Sequence, residues 1–171
     1  MDENKEELEL AEQEDIRQGK YMTFSIGSDV FGIELKYVNE IIQMQSIAPI
    51  PEAESYIKGL INLRGKIIPV IDVAIRFGKE LFEYNDRTCI IVVDVQNVVV
   101  GLIVETISEV VSIEEEDILP PPSVSKANAQ AKFIRGIGKI GDSVKLLLDP
   151  VKLLSDNSLD FVDKQEEEEE E

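Results

Sequence analysis

The sequence predicts a mostly-β protein built as two related small β-barrels, each with one short capped helix. Three observations carry that expectation. The middle of the chain is a series of short runs rich in Val, Ile, Phe and Tyr, punctuated by Gly, Pro and Asn-containing turns, a pattern of strands rather than helices. Two blocks then recur in order. Sliding Val30–Ile42 by 69 positions matches Val30 to Val99, Gly32 to Gly101 and Glu40 to Glu109, with Val38, Ile41 and Ile42 falling on Ile107, Val110 and Val111. Sliding Tyr56–Asp72 by 77 positions matches Ile57 to Ile134, Gly59 to Gly136 and Asp72 to Asp149, with Tyr56/Phe133 and Lys58/Arg135 as conservative pairs. Such internal similarity points to a duplicated structural unit. Finally, many short strands must pair all their backbone groups, and closing each sheet removes exposed edges. A single β-sandwich is the alternative, and the repeat favours two barrels.

Taken in order, the segment 1–18 has one weak apolar strip, Leu8, Leu10 and Ile16, among acids, and reads as a frayed helix or a disordered tail. The clearest strands are Tyr21–Ile26, Val30–Leu35, Ile57–Leu63, Lys66–Ile71, Thr88–Asp94, Val98–Val104 and Val144–Leu148. Gly27-Ser28 and Gln96-Asn97 read as hairpin turns, and Arg64-Gly65 lies at another, where glycine tolerates positive φ. Pro69 lacks a ladder donor, so its strand is expected to be an edge or to carry a bulge. Asp72 ahead of VAIRF, with Gly78 beyond, and Asp149-Pro150 ahead of VKLL mark two short helices by their caps. Pro120–Ala131 reads as a surface loop that takes up the eight-residue difference between the two offsets. Glu166–Glu171 is a self-repelling, solvated run. The expected organisation is an acidic tail over 1–18, a body over 19–155 with repeats of about 20–79 and 88–155, and an acidic disordered tail over 156–171.

With 171 residues, 43% of them apolar, the chain can bury a core. The net charge of −18 is unevenly placed: −6 falls in residues 1–18 and −8 in residues 155–171, leaving −4 for the body. A nucleic-acid binder needs a cationic surface to displace counterions from phosphates, so that class is disfavoured. There is no histidine, hence no imidazole base and no His metal ligand. The single cysteine excludes an internal disulfide or a multi-cysteine zinc site and fits a reducing cytoplasm. The opening MDENKEELEL is acidic where a signal peptide is basic. The longest uncharged stretch, Ile41–Pro51, is eleven residues, too short to span a bilayer.

Most chemical motifs dissolve on inspection. Gly136-Ile-Gly-Lys-Ile-Gly141 satisfies G-x-G-x-x-G, but a strand-like DSVKLLLDP follows where a dinucleotide site needs a helix N-terminus. Phe77-Gly78-Lys79 lacks the upstream glycine of a phosphate loop. Cys89 lies in an apolar strand without a base, Asp72 and Asp149 serve as caps, and Glu114–Asp117 reads as a solvated loop. No catalytic residue, cofactor or metal is expected. What remains is Arg64 on a turn and Glu40 inside the apolar run VNEII. An arginine fork at a tight turn is suited to holding a carboxylate, and a solvated loop arginine is the equal alternative. Val38, Ile41, Ile42 and Met44 exceed what one strand face needs, so a part of them can form a docking patch.

The run YIKGLINLRGKIIPVID (56–72) resembles the signature of the bacterial chemotaxis coupling proteins of the CheW family. Tyr21–Ile42, TCIIVVDVQNVVVGLIVETISEVVSI and FIRGIGKIGDSVKLLLDPVKLL extend the resemblance over residues 20–155, with NLRG its most specific part. The resemblance implies two five-stranded SH3-like or OB-like barrels, whose strands can be exchanged so that halves in sequence differ from halves in space. It implies a non-enzymatic, cytoplasmic adaptor, recruited to membrane-associated receptor arrays without inserting in the membrane. Its partners would be the cytoplasmic tip of methyl-accepting chemoreceptors and the regulatory domain of the histidine kinase CheA, with no nucleic acid. By the same resemblance, Glu40 and Arg64 are the charge pair beside the receptor groove, lined by Val38, Gly59, Val104 and Ile107. Ile47, Pro49 and Ile50 are candidate kinase contacts. The fold also occurs in CheA itself and, fused to receivers, in CheV, but the chain length beside a body of 136 residues, Gly19 to Leu154, is expected to leave room for neither partner domain. An adaptor of a non-motility chemosensory pathway and an OB-like oligonucleotide or ligand binder are the rival readings.

Overall fold

Four two-residue turns set the hairpins. Ile26 pairs with Asp29 across Gly27-Ser28, Leu63 with Lys66 across Arg64-Gly65, Val95 with Val98 across Gln96-Asn97, and Ile140 with Ser143 across Gly141-Asp142. Arg64-Gly65 and Gln96-Asn97 have positive φ at both central positions, as the type I′ turns that match strand twist require. In the computed structural model, which describes residues 4–8, 17–80, 82–121 and 131–154, these hairpins belong to eleven strands. They are β1 (Lys20–Ile26), β2 (Asp29–Glu34), β3 (Val38–Gln43), β4 (Ile57–Leu63), β5 (Lys66–Asp72), β6 (Cys89–Val95), β7 (Val98–Val104), β8 (Thr106–Ser112), β9 (Ile118–Leu119), β10 (Ile134–Ile140) and β11 (Ser143–Leu148). The strands β3, β8, β9 and β10 were not among the clearest in the sequence. Residues 4–8 are helical. The C-terminal acidic run and residues 122–130 of the expected loop lie outside the described residues.

The strands form two sheets, ordered β8-β1-β2-β11-β10-β9 and β3-β6-β7-β5-β4. Under the repeat, β1 to β5 correspond to β6, β7, β8, β10 and β11. Each sheet therefore combines the first two strands of one repeat with the last three of the other, the six-stranded sheet adding the short β9. The exchange is made at two parallel junctions, Leu147 beside Gly32 and Val70 beside Gly101, which are repeat-equivalent positions. Each sheet then closes on itself through equivalent contacts. Ala48, beyond β3, exchanges two 2.8 Å backbone bonds with Leu60 on β4, and Leu119 of β9 pairs with Ile137 of β10.

The glycines shared by the repeats sit where chains crowd. A Cβ on Gly59, whose φ is +146°, would lie 2.1 Å from the Ala48 carbonyl oxygen, and one on Gly136 3.0 Å from that of Leu119. On Gly101 it would lie 2.7 Å from Ile90 Cγ2, and on Gly32 3.1 Å from Leu147 Cδ2. Only glycine lets the closing and junction strands approach so near.

Three clusters make the core. Ile61, Ile68, Val70, Ile90, Val92 and Ile103 form one in the β3–β4 sheet, and Tyr21, Ile113 and Leu147 one in the other. The largest joins the sheets, with Phe24, Phe31 and Ile33 from one and Ile71, Ile91 and Leu102 from the other. Strands β1 and β6 are thus covered on both faces, which is why CIIVVDV is an unbroken apolar run instead of an alternating one. An aromatic row, Phe24–Phe31–Phe77–Phe133, runs through the shared core with ring centroids 5.1–5.7 Å apart. At its end the Arg76 guanidinium lies 4.2 Å from the Tyr56 ring and 4.7 Å from that of Phe133, the repeat-equivalent aromatics.

The two helices expected from their caps are Val73–Arg76 and Pro150–Leu154. Asp72 Oδ1 accepts from the Ile75 amide at 3.3 Å and Asp149 Oδ1 from that of Lys152 at 3.2 Å, the expected caps. Pro69 departs from expectation, because β5 is interior, between β7 and β4. Its missing N–H is tolerated because pairing with β7 begins one residue later, at Val70, and the bulge is on β4, between Ile57 and Gly59.

Candidate docking site

Arg64 and Glu40 are brought together. The β4–β5 turn is held by Asn62, whose Oδ1 accepts from the Gly65 amide at 2.9 Å, so the NLRG sequence builds the turn that presents Arg64. Arg64 has φ +52°, and its side chain, 71% exposed, donates through Nη2 to Glu40 Oε2. Glu40 is at an irregularity in β3, where Val38 pairs with Val93 but Glu40 with Val92. Facing Val92, it stands at the rim of the β3–β4 barrel core. Its side chain is 29% exposed, and Oε1 is buried with no hydrogen-bond donor. The two strands it spans, β3 and β4, are the outer strands of their sheet.

Of the other residues assigned to the groove, three are interior in the chain by itself. Val38 (6% exposed) and Val104 (0%) are in the core shared by the sheets. Gly59 is buried under Ala48, and barrel closure explains its identity. Ile107 is half-buried against the same shared core. Among the candidate kinase contacts, Ile47 and Ile50 are half-buried against core clusters and Pro49 is exposed. Of the apolar group around Glu40, Ile41 is exposed, while Ile42 and Met44 pack on the barrel core.

Sequence reasoning missed a pattern in the exposed apolar side chains. Ile41 and Val110 are related by the 69-residue offset, Ile67 and Val144 by the 77-residue one, and all four are exposed. Each barrel thus shows an apolar pair at equivalent places. Aligning the repeats locates them, but only the structure separates them from their buried neighbours. The second barrel lacks the ion pair: Glu109 corresponds to Glu40, but Gly141 stands where Arg64 would. There the irregularity is closed by Thr23, a buried residue whose hydroxyl donates to the Glu109 carbonyl at 2.7 Å and accepts from its amide at 3.1 Å.

The remaining polar groups brace the fold. Arg135 reaches Glu34, the Tyr21 hydroxyl at 3.1 Å and Glu115 at 3.5 Å. Burial works against its charge, but Glu34 and its neighbours hold its pKa above the usual value. Tyr84 donates to the buried Asp72 at 2.5 Å. Burial, then that bond and the Asp72 charge, push its phenol pKa well above the ordinary range. Cys89 Sγ donates to the Arg87 carbonyl at 3.2 Å. Among the described residues no group of three or more Cys, Asp or Glu is placed to hold a metal ion, and no helix is long and apolar enough to cross a membrane. The glycine-rich 136–141 segment leads through a turn into β11, not into a helix.

Twin barrels with exchanged strands, a charge pair on an open rim and apolar side chains on both barrels define a protein of the scaffold class. Residues 20–158 match the model of the CheW-like domain. The chain is 33% identical over 144 residues to a chemotaxis protein CheW of Klebsiella aerogenes, covering 84% of this chain and 86% of that one. It is also 33% identical over 146 residues to a chemotaxis protein CheW of Treponema pallidum, covering 83% and 85%. Among solved structures, the scaffolding protein TtCheW of Thermoanaerobacter tengcongensis superposes with a TM-score of 0.75 at 36% identity, covering 82% of this chain and 94% of that one. The chain belongs to the CheW-like family.

Proposed function

We propose that this chain is a chemotaxis coupling adaptor that joins the cytoplasmic tip of chemoreceptors to the regulatory domain of a CheA-type histidine kinase, and that it catalyses no reaction. On this reading it is a cytoplasmic protein drawn to membrane-associated arrays by its partners. The observation that carries the reading is the Glu40–Arg64 pair, set by the Asn62 turn on a rim of one barrel and absent from the other. Two barrels that share one core are a rigid spacer. A protein that binds two partners at fixed separation biases the kinase equilibrium by contacting its states differently. The receptor face is the Glu40–Arg64 rim, and the kinase face includes Pro49 and the exposed apolar pairs.

The test is co-sedimentation of receptor signalling fragments and kinase with and without this protein, with phosphorylation read in parallel. The reading requires that the chain bring kinase into the receptor pellet and change its output. A chain that binds one partner at a time refutes it.

A further inference from the structure

The 77-residue repeat does not stop at the second helix. Residues 73–77 correspond to 150–154, and beyond them 78–87 run onto 155–164. There Phe82, Glu83, Tyr84, Asp86 and Arg87 meet Leu159, Asp160, Phe161, Asp163 and Lys164, so that apolar, acidic, aromatic, acidic and basic side chains recur in one order. In the first copy this stretch is a strap tied to the end of β5. Phe82 packs on both the shared core and the first barrel's own cluster, and its ring meets that of Tyr84 edge-on at 5.4 Å. Tyr84 donates to Asp72, the helix cap. Along β5 and the helix that follows, Pro69, Asp72, Ala74 and Phe77 are all buried. Their counterparts in the second copy, Leu146, Asp149, Val151 and Leu154, are only half-buried. The three apolar ones lie against the shared core. The second barrel is also short of apolar filling: Ile61, Ile68, Val92 and Ile103 of the first cluster have Gly138, Lys145, Thr23 and Glu34 as counterparts.

We propose that residues 155–164, beyond the last described residue, are a second strap that lies across Leu146, Val151 and Leu154, with Leu159 in the place of Phe82 and Phe161 in that of Tyr84. The segment leaves the helix at Leu154, at the edge of this face, so little loop entropy opposes docking. Burying one leucine or phenylalanine side chain is worth about tenfold or more in an equilibrium constant. The occupant of the face is thus this chain itself, and the acidic tail begins only after 164. The second strap is the weaker copy. Phe161 has no hydroxyl to give Asp149, and the Lys79–Asp29 ion pair has Asp156 and Val98 as its counterparts. Val162 stands for Asn85, whose Oδ1 accepts from the Arg87 amide at 2.8 Å. Held by apolar contact without these polar ties, the second strap opens more readily than the first.

The test combines side-chain NMR of the full chain with urea unfolding of the wild type, the double variant Leu159→Ser with Phe161→Ser, and Phe161→Tyr. A docked strap gives nuclear Overhauser contacts from Leu159 and Phe161 to the methyls of Leu146, Val151 and Leu154. The double change abolishes them and lowers the folding equilibrium constant about tenfold or more. Phe161→Tyr restores the hydroxyl that the first strap gives to its cap and raises that constant about threefold. A wild-type chain without these contacts overturns the proposal. So does a double variant as stable as the wild type, or a Phe161→Tyr chain that gains nothing, since the ring is then not beside Asp149. Should the double variant fail to fold, Leu159→Ala must show the same losses at smaller size. Neither receptor nor kinase enters the experiment, so its outcome is separate from that of the adaptor reading.

Discussion

Replacing Gly59 by alanine tests whether this glycine serves the barrel or the partner. Its φ of +146° is a conformation that side chains with a Cβ rarely adopt, and the new methyl would sit 2.1 Å from the Ala48 carbonyl oxygen and 2.7 Å from its carbon. These are backbone atoms of the strand that closes the barrel, so no rotamer change relieves them. Backbone strain of this kind costs about 1–3 kcal/mol and overpacking about 1–3 kcal/mol, so Gly59→Ala is expected to lose about 2–6 kcal/mol. The repeat provides the control. At Gly136 the tightest contact, 2.7 Å, is to Ile118 Cγ2, the end of a side chain, and the backbone oxygen is at 3.0 Å. With no positive φ to strain, Gly136→Ala is expected to lose about 1–2 kcal/mol. Urea unfolding followed by far-UV circular dichroism reads both, since the chain has no tryptophan. With a slope of about 1–3 kcal/mol per molar, the Gly59 midpoint falls well below the Gly136 midpoint. Equal midpoints would refute the closure argument. A Gly59→Ala chain that folds stably yet loses receptor binding would return Gly59 to the docking face.

Three further outcomes follow from named contacts. Thr23→Val keeps the side-chain shape but strands the Glu109 amide and carbonyl, and is expected to cost about 1–3 kcal/mol in chemical denaturation, whereas Thr23→Ser retains the hydroxyl and loses mainly a methyl. Because the Tyr84 pKa is raised in the folded chain, the stability it contributes is complete below its unfolded pKa, about 10, and is lost as pH rises above that value. Tyr84→Phe should therefore be less stable at neutral pH and lose stability less steeply above about pH 10, which melts across pH 8–11 will show. Arg64→Gln removes an ion pair whose arginine is 71% exposed, so thermal melts should register a loss of no more than about 1 kcal/mol, and a larger loss would make the pair structural first.

The fold was legible where local rules decide it. Ile57–Leu63 and Val98–Val104 form strands with the expected bounds, because hydrophobic runs between sharp turns have few other options. Both caps were legible for the same reason. The strands β3 and β8 were not: VNEIIQ and TISEVVS are edge strands with alternating or largely exposed residues, and their polar positions dilute the apolar run. Nor could Pro69 be placed, since whether a strand is interior depends on which distant strand joins it. The repeat shows that β4 and β10 are alike, but the two copies compete for the same partners. The choice between a barrel made of one repeat and a barrel made of both is settled by non-local packing, at the two parallel junctions.

The site divides along the same line. Residue type and turn chemistry sufficed to single out Arg64 and Glu40, because a fork on a tight turn and a carboxylate in an apolar run are each locally conspicuous. Val38 and Gly59 lie close to Glu40 and Arg64 in sequence but are interior, since in a duplicated fold the positions that repeat most faithfully are those the packing needs. Gly32, Gly59, Gly101 and Gly136 all meet a junction or a closing strand. What distinguishes the barrels functionally is where the repeat fails. Arg64 has Gly141 as its counterpart, and Thr23 has Val92. Duplication made one stable frame twice and exchange of strands fused the copies through a common core. With the frame fixed by residues both copies keep, the copies differ at Arg64/Gly141 and Thr23/Val92, so the Glu40–Arg64 pair is carried by one barrel alone.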